Sequence, residues 1–247
     1  MKRILFMLIF VVQSLLGAEA FASPCTVSTL SSYFSLGSTG CTIGNFKFFN
    51  FTLLEQPTNA VPFSAVSVTP VAVGITTVGL DFGVNAIANS GMLSEDLIRY
   101  TITGASLNGA SLFFTDSATD PGGNGAVTVV ENLCIGGLFT GADGVSGCNG
   151  TLQNLGVANS FNTADPPDSL MFLPVASLDV VTDIAIDGGV RGLGSFASLG
   201  SASNRFQAVA INVVPVPEPS AYLLLVAGLL GFYGSNATRF FRLSRRA

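Results

Sequence analysis

The sequence predicts an all-β protein: an antiparallel β-sandwich or jelly-roll-like domain flanked by an N-terminal signal peptide and a C-terminal transmembrane helix. Three observations predict it. Between the two ends, apolar residues alternate at period two and no segment keeps a helical period. Clusters such as Asp120-Pro121-Gly122-Gly123-Asn124-Gly125 and Asp187-Gly188-Gly189 separate the apolar stretches in the manner of turns. Although 49% of the residues are hydrophobic, long uninterrupted apolar runs occur only near the termini.

The N-terminal element occupies residues 1–22. Met1-Lys2-Arg3 gives a basic start, and Ile4 to Leu16 is apolar except for Gln13 and Ser14. Ala18-x-Ala20 and Ala20-x-Ala22 both satisfy the small-x-small cleavage rule, so the expected fate is Sec export and signal peptidase cleavage after Ala20 or Ala22. The run is short for a membrane span of about 20 residues, which favours a cleaved signal over an anchor.

The passenger domain, 23–213, has the length of one all-β unit. Val78, Leu80, Phe82 and Val84 share one parity, as do Ile98, Tyr100 and Ile102. Leu178, Val180, Ile184 and Ile186 share another, with Asp179, Asp183 and Asp187 opposite, and Val209, Ile211 and Val213 alternate last. Period two with one polar face marks antiparallel strands in half-buried sheets. Phe46, Phe48, Phe49, Phe51 and Leu53 shift parity midway, which predicts a β-bulge or a strand buried on both faces. With 64–69, 107–114, 126–135 and 169–175, the expectation is about nine or ten strands.

Charge and composition remove whole function classes. From Ser23 to Pro217 there are four basic side chains against thirteen acidic ones, and such a surface repels phosphate backbones, so no nucleic-acid partner is expected. The chain has no His and no Trp. It therefore lacks the commonest general base, the commonest zinc ligand and every Ser-His or Cys-His nucleophile system. Neither an enzyme nor a cofactor is expected.

The four cysteines form two local pairs, Cys25 with Cys41 and Cys134 with Cys148. Three connectivities are possible, and local pairing is the expectation because each pair closes a similar short loop, worth about 3 kcal/mol in the chain-entropy model. Export makes disulfides plausible, and the tight spacing of a zinc site is absent.

The C-terminal element, 214–247, has three parts in order. Val214 to Ser220 is proline-rich and extended, and contains Pro217-Glu218-Pro219. The apolar span 220–238 would be roughly 28 Å long as a helix, just enough for a thin bilayer. The basic end 239–247 carries Arg239, Arg242, Arg245 and Arg246, which should stay in the cytoplasm and leave the domain outside. Motif, span and basic end together resemble the PEP-CTERM sorting signal of Gram-negative bacteria, a tail also filed under ice-binding proteins. The resemblance covers about the last thirty residues. It implies transient residence in the inner membrane, recognition by an exosortase and cleavage near the motif. The stretch Gly40-Cys41-Thr42-Ile43-Gly44-Asn45-Phe46-Lys47-Phe48 is loosely similar to the start of other passengers of that class.

Within the passenger, Asp116, Asp120 and Asn124 are the candidate Ca²⁺ ligands, but their spacing is not that of an EF-hand and tight turns use the same residue types. Asp179, Asp183 and Asp187 sit four apart, about 13 Å along a strand, too far for one ion, and read as a solvated face. Glu95-Asp96 and Asp165/Asp168 are not spaced like glycosidase carboxylates, which face each other across a cleft. Gly136 to Gly150 reads as a flexible, cross-linked loop without a phosphate-binding pattern. By elimination, the expected role is a non-catalytic structural or adhesive domain of the cell surface or extracellular matrix. The alternative is a binding module for polysaccharide, ice or calcium, with exopolysaccharide as the natural partner.

Overall fold

The structure, a computed structural model, describes residues 22–55, 61–62, 64–121, 123–190 and 194–209. These form thirteen strands and one short helix: β1 (Ser23–Pro24), β2 (Ser28–Thr29), α1 (Leu30–Phe34), β3 (Cys41–Ile43), β4 (Phe46–Glu55), β5 (Ser67–Val73), β6 (Thr77–Asn89), β7 (Leu93–Thr115), β8 (Ala118–Thr119), β9 (Ala126–Ile135), β10 (Thr151–Ser160), β11 (Thr163–Ala164), β12 (Asp168–Asp187) and β13 (Phe196–Ala208). The all-β expectation holds. Rather than two separate sheets, the strands join in one thirteen-stranded sheet, whose main path runs β11-β10-β9-β12-β7-β13-β6-β5-β2.

The long strands β7 and β12 explain how one sheet encloses a core. β12 follows one edge of β7 antiparallel from Leu93 to Leu112. The other edge of β7 is shared, by β4 along 97–103 and by β13 along 107–115. The sheet therefore forks at β7, and its branches curl over a common interior. Phe48 of β4 meets Phe206 of β13 with ring centroids 6.3 Å apart, and Tyr100 of β7 packs on Phe51 at 5.3 Å and on Phe82 at 6.1 Å. Quadrupolar ring pairs at such separations add to the area they bury.

Irregularities sit where the parity of the sequence breaks. Asn50 has φ 54° and the register of β4 shifts between Phe49 and Thr52, so buried Phe48 and buried Phe51 reach the same core from opposite parities. This is the expected bulge. In β7, Ser106 has φ 58°, level with register shifts around Val175 in β12. The segments 98–102 and 107–114, read separately in the sequence, are thus one kinked strand, and so are 169–175 and 178–186. Two long strands escaped the sequence reading, as did the short β1, β2, β3, β8 and β11. β10 exposes Thr151 to Asn154, and β13 turns small residues (Ala197, Ala202, Ser203) inward, so neither shows strong alternation. α1 is a single capped turn in which the Ser32 N–H donates to the Thr29 hydroxyl and Tyr33 is buried.

Candidate functional site

On the outer face of β7, β12 and β9, the loop 136–150 forms a strap. Cys134–Cys148 closes it, and Cys25–Cys41 ties the N-terminal segment to β3; both local pairs are therefore disulfides, as the spacing predicted. Phe139, bridged to Cys148 near the base of the strap, is buried with Cys134 and Val181, and Leu54, Leu97 and Val145 pack around them. Beneath it Asp179 is fully buried. Arg99 donates to its Oδ2 through Nε (3.1 Å) and Nη2, the Phe139 N–H donates to the same oxygen at 2.9 Å, and the Thr101 hydroxyl donates to Oδ1 at 3.2 Å. Arg99 also donates to the Phe139 carbonyl at 2.7 Å. The ion pair is thus a clamp that holds strap to sheet. The expectation of a solvated Asp179-Asp183-Asp187 face fails at Asp179 because the strap covers it. Asp183 is half-buried and Asp187, which accepts the Gly189 N–H at 2.8 Å, is exposed. The strap is not a loose loop either: Asp143 accepts from the N–H groups of Val145 and Ser146 and from the Ser146 hydroxyl, and these bonds lower its pKa.

A groove of about 430 Å³ opens beside the base of the strap. The first half of β12 ladders to β7 only, because β9 ends at Ile135, opposite Leu178. Its free edge and β10 leave a trough lined by Ile135, Thr151, Gln153, Leu170, Phe172 and Val175. Leu173 and Met171 are 84% and 64% exposed at its rim. Pro174, within a register shift, blunts this edge against further strand pairing. The edge of β10 is blunted too, since Asp165 and Asp168 accept the N–H groups of Ala158 and Gly156 at 2.9 and 3.0 Å. These two carboxylates therefore serve the backbone.

The third constellation lies inside the core. Tyr100, Glu131, Thr182 and Asn204 are all fully buried. Asn204 Nδ2 donates to Thr182 Oγ1 at 2.7 Å and to the Tyr100 hydroxyl at 2.9 Å. Glu131 stands directly opposite Thr182 in the β9–β12 register, and both its carboxyl oxygens are buried without a hydrogen-bond partner. Burial raises the Glu131 pKa well above the usual carboxylate range, and raises Tyr100 through burial and then through Glu131. The sequence reading missed this cluster, although one signal was present. Glu131 occupies the apolar parity of β9, in line with Val127, Val129 and Leu133.

Asn124, one of the calcium candidates, spends its Oδ1 on the Val190 N–H (2.9 Å) and the Ser195 hydroxyl (3.3 Å), which pins the loop after β12. Asp116 and Asp120 occupy turns beside β13, with backbone bonds to Gly200 and Phe196. Among the described residues, no three Asp, Glu, Cys or His side chains gather as a metal site. Asp96, fully enclosed on β7, has its pKa raised to about 7 by burial; Glu95 beside it is half-exposed and helps burial raise Asp183 to about 6. Residues 1–21, Ile211, Val213, Pro217-Glu218-Pro219, the span 220–238 and Arg239, Arg242, Arg245 and Arg246 lie outside the described residues.

No known protein family matches the sequence, and no curated protein matches it. Among solved structures, the chain is distantly similar to TmCBM61 in complex with β-1,4-galactotriose, at 9% identity and a TM-score of 0.29, covering 69% of this chain and 92% of that one. A GlcNAcα1-4Gal-releasing endo-β-galactosidase from Clostridium perfringens aligns at 9% identity and a TM-score of 0.24, over 64% of this chain and 58% of its own. Likenesses this remote carry no argument about function.

Proposed function

We propose that the chain is an exported, exosortase-processed protein of the PEP-CTERM class, whose β domain serves a non-catalytic structural or adhesive role at the cell surface or in the extracellular matrix. The observation that carries the reading is the pair of disulfides within an all-β frame. Such bonds persist in oxidising compartments, and here each closes a short loop over the sheet. The signal sequence and the tripartite tail supply the route. Arg99, Asp179, Asp165 and Asp168 all hold backbone or strap in place, which supports a structural role for these charges.

Expression in a host that possesses an exosortase tests the route. The mature species should lack both residues 1–22 and the Arg-rich end; an intact mass retaining Arg245 and Arg246 overturns the processing. Deletion of the gene tests the role, with loss of matrix retention or cell aggregation expected. A second reading is favoured by one observation: the groove between β10 and the free edge of β12 has the size of a ligand site and sets Thr151 and Gln153 against an apolar wall. An extended polysaccharide is the ligand such a trough would take. Saturable glycan binding that is lost in Gln153→Ala would select this reading over a purely structural one.

A further inference from the structure

The Tyr100–Glu131–Thr182–Asn204 cluster is a costly arrangement for a domain that needs only a core. A carboxyl group with both oxygens unpartnered in an apolar interior destabilises the fold, so its presence calls for an explanation. No opening reaches it: all four residues have no exposed surface. A reactive constellation closed to solvent has only its own side chains to act on.

We propose that Thr182 and Asn204 form an intramolecular ester, which cross-links β12 to β13 through the core. The two side chains are already in contact, Nδ2 to Oγ1 at 2.7 Å. The terminal torsion of asparagine is broad, so a rotation of the carboxamide turns its face toward the hydroxyl. In the step, Thr182 Oγ1 attacks Asn204 Cγ while its proton passes to Glu131. The carbonyl electron pair moves onto Oδ1, where the Tyr100 hydroxyl can donate to the developing charge. The intermediate collapses as the Cγ–Nδ2 bond breaks and Glu131 returns the proton to the departing nitrogen. One C–O bond forms, one C–N bond breaks and one ammonia leaves, with no change of oxidation state. In its ionised form, Glu131 enclosed in the apolar core is a stronger proton acceptor than an exposed carboxylate. Closeness of the reacting groups replaces the activated substrate that such a condensation otherwise requires. The product would do what the ladder does not, because β12 and β13 are separated by β7 in the sheet and share no backbone pairing. A covalent tie between β12 and the β13 branch suits a domain that bears load outside the cell.

The test is the mass of the purified full chain, reduced and denatured. The expected value is the sequence mass of the processed species less one ammonia. Trypsin cleaves after Arg99, Arg191 and Arg205, which places Thr182 in peptide 100–191 and Asn204 in peptide 192–205. After reduction these should appear as one branched species that mild hydroxylamine separates. Full mass with two independent peptides overturns the proposal. Ammonia loss with the peptides still separate marks a cyclised asparagine and overturns it equally. Thr182→Val should abolish the cross-link, while Thr182→Ser, which keeps the nucleophile, should retain it. Glu131→Gln should fold, with both disulfides formed, yet remain uncross-linked. A cross-link of wild-type extent in that variant would remove Glu131 from the mechanism.

Discussion

Removing Arg99 leaves the Asp179 carboxylate enclosed beneath the strap, with only Thr101 and the Phe139 N–H to hold its charge. A buried ion deprived of its partner typically costs about 3–5 kcal/mol. Arg99→Met should therefore lower stability by about that amount in urea unfolding, and the double variant Arg99→Met/Asp179→Leu should recover part of it. A single variant within 0.5 kcal/mol of wild type, roughly the ordinary scatter of surface substitutions, would show that the pair is not a clamp. Gly40 is constrained for a different reason. Its φ is 63°, and a Cβ there would collide with the Phe48 carbonyl at the start of the Phe-rich strand. Gly40→Ala should therefore prevent β3 and β4 from closing, and show as loss of the native thermal transition.

Among the elements, the strap 136–150 owes its order to three attachments: the Cys134–Cys148 bond, the Arg99–Asp179 clamp and the burial of Phe139. The disulfide closes a loop with a separation of 14 residues, and its removal should cost about 3 kcal/mol. Replacing both cysteines by Ala should release the strap before the sheet unfolds, because β9, β12 and β7 remain paired to one another. Hydrogen exchange should then show faster amides at Phe139 and Asn149 with little change at Val129 or Ile184. Uniform acceleration across β9 and β12 would mean that strap and sheet are one cooperative unit. The bulge at Asn50 and the paired kinks at Ser106 and Val175 bend strands that would otherwise run straight past the core.

For the molecule as a whole, one electrostatic feature is a set of buried carboxyls whose pKa values the fold raises. Burial raises Asp96 to about 7, burial and then Glu95 raise Asp183 to about 6, and burial raises Glu131 well above the usual carboxylate range. A group whose pKa is higher in the folded state stabilises the fold fully below its unfolded value, and that contribution is lost as pH rises through the folded value. Thermal stability should accordingly fall between about pH 4 and 7, and the acidic excess acts in the same direction through self-repulsion. Melting curves from pH 4 to 8 check this, and Asp96→Asn should flatten the profile. A melting temperature that climbs with pH would mean these carboxyls are ionised in the folded chain.

Much of this architecture is local in origin and could be read from the residues alone. Alternation placed β6, β9 and the two halves of β7 and β12, because a strand buried on one face must repeat at period two. The parity break at Phe48–Phe49 announced the bulge, and short loop closure favoured both disulfides. The signal and the sorting tail proposed for the two ends are likewise read from contiguous strings. What the tertiary structure decided depends on residues distant in the chain. Asp179 reads as a solvent-facing member of a polar stripe and becomes buried only when the strap folds over it, 40 residues from Phe139. β10 and β13 carry too little apolar contrast to be recognised, since one borders the open groove and the other makes room for Tyr100 and Phe48. The contact between Thr182 and Asn204, and the placement of Glu131 opposite them, follow from the fork of the sheet at β7. No local pattern encodes it, because the burial energy that fixes it belongs to the closed core and not to any one strand.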